Sequence, residues 1–386
     1  GNFIGYWIIA LVLIPLYYRL NLVSIYTYLN LRFGDKTYRT GSFFFLLSQT
    51  IGASFRLYLV AGVLQLAVFN QLGIPFWVTV LITVFLIWLY TFRAGIKTVV
   101  WTDALQTLFI LLSVGLTIVV VSKELNQSVK QLTAEILNHP YSQILDWEWK
   151  SRTNFFKQFF AGLGMVIVLN GLDQNMMQKN LTCRNRHEAQ KNIFWFSGAF
   201  ILANLLFLAL GVLLYYYSAQ KGIALPSHSD DLFPMLALNH FGMLAGILFL
   251  LGITAAAYSS ADSALTALTT SFCIDFLRID PESDQGRKKR FWVHIGFSLL
   301  MFLVIVLFRL INDKSVVSAV FTVAGYTYGP LLGLFSFGIL TSRNVMDRWV
   351  PLICVLSPVV CYLLNLFSKE WFNGYQFGFE LLLVNG

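Results

Sequence analysis

The chain has 386 residues, of which 57% are hydrophobic and 12% are charged, and its mean hydropathy is +0.67. Apolar runs of about 20 residues, long enough to cross a bilayer, recur along the whole length, which excludes a soluble domain. The net charge of +8 does not indicate a nucleic-acid partner, because the Lys and Arg residues fall mainly in short loops between these runs. We expect a protein embedded in the lipid bilayer.

Ten apolar segments are predicted to cross the membrane, each as a helix. They cover residues 3–18, 42–69, 76–92, 99–122, 155–177, 193–217, 243–277, 291–311, 316–340 and 350–367, and an incomplete eleventh is expected from about residue 371. We therefore predict an all-α polytopic membrane protein, with residues 1–386 forming a single transmembrane domain.

Basic residues mark alternate loops between the predicted spans. They cluster at residues 19–39, 93–97, 179–191, 287–290 and 343–348. The positive-inside rule makes this face cytoplasmic, so we expect a multi-pass protein of the cell's inner (plasma) membrane, with residues 123–152 as its longest extracytoplasmic loop. Within that loop, residues 129–137 form either a short amphipathic surface helix or a simple linker.

The stretch from Ala255 to Asp275 is apolar but carries unusual polarity for a membrane helix. One of its faces bears a carboxylate and four hydroxyls at three- and four-residue steps: Ser259, Asp262, Ser263, Thr266 and Thr270. An all-oxygen surface can replace the hydration shell of a hard cation. The alternative is that the hydroxyls bond to their own helix, or that small residues allow close packing. That alternative leaves Asp262 unexplained at intramembrane depth.

Asp103 lies where the basic stretch RAGIKTVVWTDALQT turns into a predicted span. It is either an acid favoured by the helix N-terminus, with Thr102 as the cap, or the counter-charge of a cation site shared with the Asp262 face. The sequence does not decide between these two roles.

The span GLGMVIVLNGLDQNMMQKN, residues 162–180, is rich in glycine and asparagine and favours an interrupted helix. Transporters place such breaks where freed backbone groups hold a substrate or an ion. The alternative is that the glycines allow neighbouring helices to pack closely.

Arg56 stands alone in the apolar run SQTIGASFRLYLVAGVL. Its guanidinium stays charged and has the planar fork that suits a carboxylate. It could bind an anionic substrate, pair with an internal acid, or extend to the membrane interface.

The sequence offers little support for an enzyme. Its five histidines and four cysteines show no metal-ligand spacing, and no GxSxG elbow is present. We expect no enzymatic activity and no cofactor.

Five ordered motifs together resemble those of the sodium:solute symporter family, which includes the sodium–glucose, proline and sialic acid cotransporters. They are IYTYLNLRFG at 25–34, in which Thr27 replaces the usual Glu, VVWTDALQ at 99–106, LDQNMMQK at 172–179, YSSADSALTA at 258–267 and GYTYGPLLGLFSFGI at 325–339. The resemblance covers nearly the whole chain.

This resemblance implies a LeuT-like fold of two inverted five-helix repeats, with substrate and sodium held near mid-membrane by broken helices. Counting the WTD motif as the fifth core helix makes the first visible span the second. Since the chain opens inside an apolar run without an initiating Met, we expect it to be N-terminally truncated, with core helix 1 absent.

The resemblance also implies site residues. One sodium would take the carbonyl of Ala256 and the hydroxyls of Ser259 and Ser260, together with carbonyls of core helix 1. A second sodium, found in members resembling the sialic acid transporters, would take four residues: Asp103, Ser259, Asp262 and Ser263. Asp262 replaces a hydroxyl in that pattern, so this site could bind sodium more strongly, hold a proton or pair internally. Arg56 matches the position that holds the substrate carboxylate in sialic acid transporters.

The function expected from the resemblance is sodium-coupled symport by alternating access, importing a small polar solute. Arg56 favours an acid sugar or another carboxylate as that solute. The alternative is a membrane sensor of the same fold, coupled to a signalling module.

Overall fold

The computed structural model describes residues 1–22, 24–91, 96–279, 284–311 and 315–386, and within them the side chains of all but residues 90–91, 96–103 and 284. These residues form helices and no strand. The helices are α1 Asn2–Arg19, α2 Thr27–Arg32, α3 Asp35–Phe69, α4 Phe76–Thr91, α5 Ile96–Glu124, α6 Val129–Asn138, α7 Phe155–Gly171, α8 Gln174–Leu181, α9 Arg186–Lys221, α10 Leu232–Asn239, α11 Met243–Phe276, α12 Asp284–Ile311, α13 Val316–Thr327, α14 Gly329–Leu340, α15 Val350–Leu366, α16 Ser368–Trp371 and α17 Leu381–Asn385.

The membrane-spanning helices agree with the ten predicted segments. Seven helices in the described part of the chain are long and apolar enough to cross a bilayer, and two bent pairs raise that number to nine. The bent pairs are α7 with α8, at 63°, and α13 with α14, at 48°. The tenth segment is the shorter apolar helix α4, of 16 residues.

The predicted eleventh segment is wrong in position. Helix α16 ends at Trp371, and the next helix, α17, begins ten residues later at Leu381. Asn373 and Gly374 have φ angles of 51° and 86°, a left-handed conformation that turns the chain and prevents a continuous helix.

The loop at 123–152 contains a helix and is not a simple linker throughout. Ser128 and Gln131 form a reciprocal capping box at the start of α6, and Leu132 on this helix is buried. Further along the loop, the Thr153 hydroxyl donates to the Asp146 carboxylate at 2.6 Å, and this hydrogen bond lowers the pKa of Asp146.

The break between α7 and α8 has a specific local cause. Helix α7 ends in a π-helical turn at Ile167–Gly171, and the Asp173 carboxylate then caps α8 by accepting from the Met176 N–H at 3.2 Å. The freed carbonyls of Gly171 and Leu172 accept hydrogen bonds from two tyrosine hydroxyls, those of Tyr17 at 2.9 Å and Tyr26 at 2.8 Å. The predicted interruption is therefore present, and its carbonyls are already bonded within the protein.

The glycines of this span also allow neighbouring helices to pack closely, which was the alternative interpretation of residues 162–180. A Cβ at Gly171 would lie 2.6 Å from the Leu13 Cδ1, and one at Gly164 would lie 2.9 Å from the Leu383 Cδ2. The two interpretations are therefore compatible within one span.

The break between α13 and α14 falls at Tyr328. Pro330 occupies the first turn of α14, where its missing N–H is not needed. The Asn385 side chain donates to the carbonyls of Gly325 at 2.9 Å and Tyr326 at 2.8 Å. The end of α17 thus satisfies backbone groups beside the second break.

Helix α3 runs through the middle of the bundle and packs against α11, α12 and α13. The Asp347 carboxylate caps its first turn by accepting from the N–H groups of Lys36 at 3.0 Å and Thr37 at 2.7 Å. Gly34 has a φ of 136°, and a Cβ there would lie 2.8 Å from that carboxylate, so only glycine fits. Arg32 donates to the Thr341 carbonyl at 3.0 Å beyond the end of α14. The RFG motif thus joins the start of α3 to the segment that follows α14.

Candidate substrate cavity and cation-binding face

A cavity of about 570 Å³ lies between α1, α3, α7 and α13, a volume within the range of small-molecule sites. Most of its lining is apolar. The polar side chains that reach it include Gln49, Arg56, Asn170, Asp173, Asn175 and Tyr328. A few polar groups on an apolar wall are typical of a site that orients one small solute.

Arg56 lies near the middle of α3, and its side chain is exposed and lines this cavity. Within the described residues it forms no ion pair within 4.0 Å. Its charge nevertheless acts on both Asp173 and Tyr328. One of the three roles considered for Arg56 was an ion pair with an internal acid. No acid among the described residues forms such a pair with it.

Asp173 and Tyr328 are cavity residues that sequence reasoning missed. The Tyr328 hydroxyl donates to the Asp173 Oδ2 at 2.7 Å, and the two side chains are buried, with exposed fractions of 2% and 3%. Both lie within motifs already noted, at 172–179 and 325–339. No local sequence pattern indicates the contact between these two residues, because 155 positions separate them.

An aromatic residue of the last segment contributes to the cavity wall. Phe379 lines the cavity and packs edge-on against Phe321, with ring centroids 5.4 Å apart. Nearby, burial and the Glu380 carboxylate raise the pKa of Tyr375 to about 12. Lys157 donates to the Gln376 carbonyl at 2.8 Å and so ties α7 to this segment.

The polar face of α11 is turned into the protein and away from lipid. Ser259, Asp262 and Ser263 are buried, with exposed fractions of 5%, 2% and 8%, while Ala256 and Ser260 are half-buried. The Ser263 hydroxyl has no hydrogen-bond partner among the described residues. Thr266 approaches the Asp262 Oδ1 at 3.5 Å. The five α11 residues predicted to bind sodium therefore lie within one short stretch of a single helix, three of them buried.

Helix α5 packs closely against α11, and the contact sets their register. A Cβ at Gly252 would lie 3.1 Å from the Ile110 Cγ1 and 3.2 Å from its backbone nitrogen. Because successive spans alternate in direction, α5 and α11 run antiparallel. Asp103 lies seven residues before Ile110, and Ser259 lies seven after Gly252, so two regular helices bring the backbones of Asp103 and Ser259 to the same level. Helix α5 already includes Ile96, so Thr102 lies within the helix and the prediction that it caps the helix is wrong. The side chains of Asp103 and Thr102 lie outside the described residues.

Asp275, at the C-terminal end of the same stretch, has a different environment. It is fully buried and accepts hydrogen bonds from Tyr38 on α3 at 2.6 Å and from Ser271 at 2.5 Å. This carboxylate joins the N-terminal part of α3 to the C-terminal end of α11, well separated along α11 from Asp262.

Comparisons with known proteins agree with this architecture. A sequence model of the sodium:solute symporter family matches residues 1–346. The human sodium/iodide cotransporter is 26% identical over 382 residues, covering 93% of this chain and 58% of its own length. The sodium/sialic acid symporter NanT of Aliivibrio fischeri is 25% identical, with 93% and 73% covered, and the sodium-coupled monocarboxylate transporter 1 of Xenopus laevis is 27% identical, with 85% and 53% covered. The chain thus spans little more than half of the two vertebrate relatives.

A solved structure supports the fold. It is described as the substrate-bound outward-open state of a Na+-coupled sialic acid symporter that reveals a novel Na+-site. It matches with a TM-score of 0.80 at 20% identity, over all of this chain and 80% of that chain. The relatives named here are transporters and not enzymes, as expected, and none is named as a sensor. This chain belongs to the sodium:solute symporter family and has its all-α, LeuT-like fold.

Proposed function

We propose that this chain forms part of the transport unit of a sodium-coupled symporter that imports a small carboxylate solute across the plasma membrane. The observation that carries the proposal is Arg56: in a member of this family, its guanidinium faces a cavity of solute size and forms no ion pair within the described residues. An unpaired cation in a low-dielectric cavity attracts an anion strongly, and its planar fork favours a carboxylate.

The relatives are consistent with a carboxylate. Two of them are named for sialic acid and for monocarboxylates, both of which carry this group. The apolar wall of the cavity, which includes Phe55, Met165 and Phe200, would contact the rest of the solute. We assign an acid sugar or another small carboxylate as the substrate class.

Two sodium sites are proposed on the polar face of α11. The first takes the carbonyl of Ala256 and the hydroxyls of Ser259 and Ser260, and the second takes four residues: Asp103, Ser259, Asp262 and Ser263. Burial of the α11 groups supports the assignment, since oxygen ligands removed from water can replace a hydration shell. The common level of the Asp103 and Ser259 backbones supports a site shared between α5 and α11.

Alternating access follows from how these parts are connected. Helices α7 and α13 line the cavity and are interrupted spans, so their halves can reorient without unfolding. Coupling is reciprocal: if sodium tightens substrate binding, substrate tightens sodium binding by the same factor. Each positive charge moved inward gains about 2.3 kcal/mol per 100 mV of membrane potential.

A melting experiment tests this function. The full-length protein is purified in potassium and heated with sodium or additional potassium, each alone and with sialic acid, lactate or glucose. A ligand that binds only the folded state stabilises it by about 2.7 kcal/mol at 100 times its Kd. We expect sodium to raise the melting temperature and one of the acids to raise it further only in sodium. Equal melting in both cations would reject sodium coupling, and a response to glucose alone would reject the carboxylate.

A further inference from the structure

The two broken spans of this protein are joined at their breaks. Asp173 lies between α7 and α8, and Tyr328 lies between α13 and α14. The hydrogen bond from the Tyr328 hydroxyl to the Asp173 Oδ2 connects them at 2.7 Å. Both residues also line the cavity that contains Arg56. The link therefore lies at the proposed substrate site.

Both oxygens of the Asp173 carboxylate have donors. Oδ2 accepts from Tyr328, and Oδ1 accepts from the Met176 N–H at the start of α8. Such donors stabilise a buried carboxylate without a cation, and a helix N-terminus adds to the effect. Without them, a buried carboxylate would pair with the nearest cation, because an unpaired buried charge is costly.

Arg56 is a cation that shares the cavity with Asp173. Its charge acts on Asp173 and on Tyr328, yet it forms no ion pair with either residue. Arginine has a long and flexible stem, so a modest change of rotamer moves its guanidinium by several ångströms. The Tyr328 hydroxyl takes one acceptor position of the Asp173 Oδ2 and fixes the orientation of the carboxylate.

We propose that Tyr328 is a positioning residue that holds Asp173 and thereby keeps the Arg56 guanidinium available for the substrate's carboxylate. The inference rests on the proposed function and adds the residue pair that sets its selectivity for acids. In this arrangement Asp173 is an internal competitor of the substrate. Tyr328 suppresses that competition without touching the substrate.

Loss of the hydroxyl has a defined consequence. In Tyr328→Phe the ring remains but Oδ2 loses its donor, so Arg56 pairs with Asp173 in most molecules. The apparent affinity of a ligand falls by the fraction of protein that stays competent to bind it. If about one molecule in ten keeps Arg56 free, acid binding weakens about tenfold. A ligand that does not use Arg56 binds as before.

The test measures binding of acids and of their methyl esters to the full-length protein in saturating sodium by titration calorimetry. The probes are sialic acid and lactate, each with its methyl ester, which keeps the shape and removes the charge. For Tyr328→Phe we expect about tenfold weaker binding of whichever acid the wild type binds. The affinity for the methyl ester of that acid should stay within about twofold of the wild-type value. Adding Asp173→Asn removes the competing anion and restores acid binding.

Two control variants separate this role from a structural one. Tyr326→Phe, two residues before Tyr328 at the end of α13, removes a hydroxyl that accepts from Asn365 at 3.0 Å outside the cavity, and we expect no change in either affinity. Tyr26→Phe removes a donor to the Leu172 carbonyl at the first break, and we expect it to affect acid and ester alike. Should Tyr328→Phe fail to fold, Asp173→Asn alone remains decisive, since it should bind the acid at least as tightly as the wild type.

Three results would overturn the inference: equal weakening of acid and ester by Tyr328→Phe, unchanged acid binding in that variant, or no recovery on adding Asp173→Asn. A weaker acid affinity in Asp173→Asn alone would also overturn it. If wild-type protein in sodium bound none of the acids, the proposed function itself would fail, and the inference with it. If the wild type bound an acid while the variants disagreed with these expectations, only the inference would fail.

Discussion

The substrate cavity and the polar face of α11 are both polar regions inside an apolar bundle, but they are built differently. The cavity is open space of about 570 Å³ in which the side chain of Arg56 is exposed. The α11 face is closely packed, with α5 so near that a Cβ at Gly252 would touch the Ile110 backbone. A solute requires volume and a few directional partners, whereas a sodium ion requires only oxygen atoms at short range. Substitutions in the two regions should therefore change different ligands.

The largest expected effect comes from the cavity. Arg56→Gln removes the proposed partner of the substrate carboxylate, and the loss of two charge-assisted hydrogen bonds weakens acid binding by about 100-fold or more. Binding of the methyl ester should change by less than about threefold. Titration calorimetry in sodium measures both. The matched control is Arg309→Gln, whose guanidinium packs over the Phe76 ring at 4.0 Å outside the cavity. An equal loss of acid and ester binding would show a structural role for Arg56.

The next effect belongs to the α11 face. Ser259→Ala combined with Ser260→Ala removes two oxygen ligands of the proposed first sodium site, and the sodium concentration for half-maximal uptake should rise about tenfold. Uptake into proteoliposomes at varied sodium measures it. Ser298→Ala on α12, whose hydroxyl donates to the His294 carbonyl, serves as the control. Unchanged sodium dependence in the double variant would remove this site.

A qualitative change distinguishes the two roles of Asp103. As a ligand of the second sodium, it is required for one of the coupled ions, so Asp103→Asn should lower the number of sodium ions moved per substrate by one. Flux reversal in proteoliposomes at set sodium and substrate gradients measures this ratio. A ratio equal to that of the wild type would show that Asp103 is not a ligand of a coupled sodium ion.

The smallest effect on transport is expected at the C-terminal end of α11. Tyr38→Phe removes a donor to the buried Asp275 carboxylate and should lower the free energy of unfolding by about 1–3 kcal/mol. The sodium dependence of uptake should stay unchanged, because Asp275 lies far along α11 from the proposed ligands. Thermal unfolding and uptake on one sample compare the two quantities. A shift in sodium affinity as large as that of the serine double variant would indicate that Asp275 also contributes to sodium binding.

Much of the architecture could be predicted because helices depend on local sequence. All ten predicted spans are helical, and the interruption at residues 162–180 is present, since apolar runs, glycines and capping side chains act within a few residues of one another. The displaced eleventh segment is the exception. There an apolar and aromatic sequence turns at Asn373 and Gly374, and hydropathy does not report a left-handed backbone.

The sequence by itself determined the membrane class, the spans, the polar face of α11 and the family. Only the tertiary structure decided that Asp173 accepts a hydrogen bond from Tyr328 across 155 positions, and that Arg56 shares a cavity with these two residues. It also decided that Asp347 caps α3. The physical reason is the range of the forces involved. Backbone hydrogen bonds and hydrophobic periodicity operate along one helix, whereas side-chain partners between helices depend on packing register, which no single segment encodes.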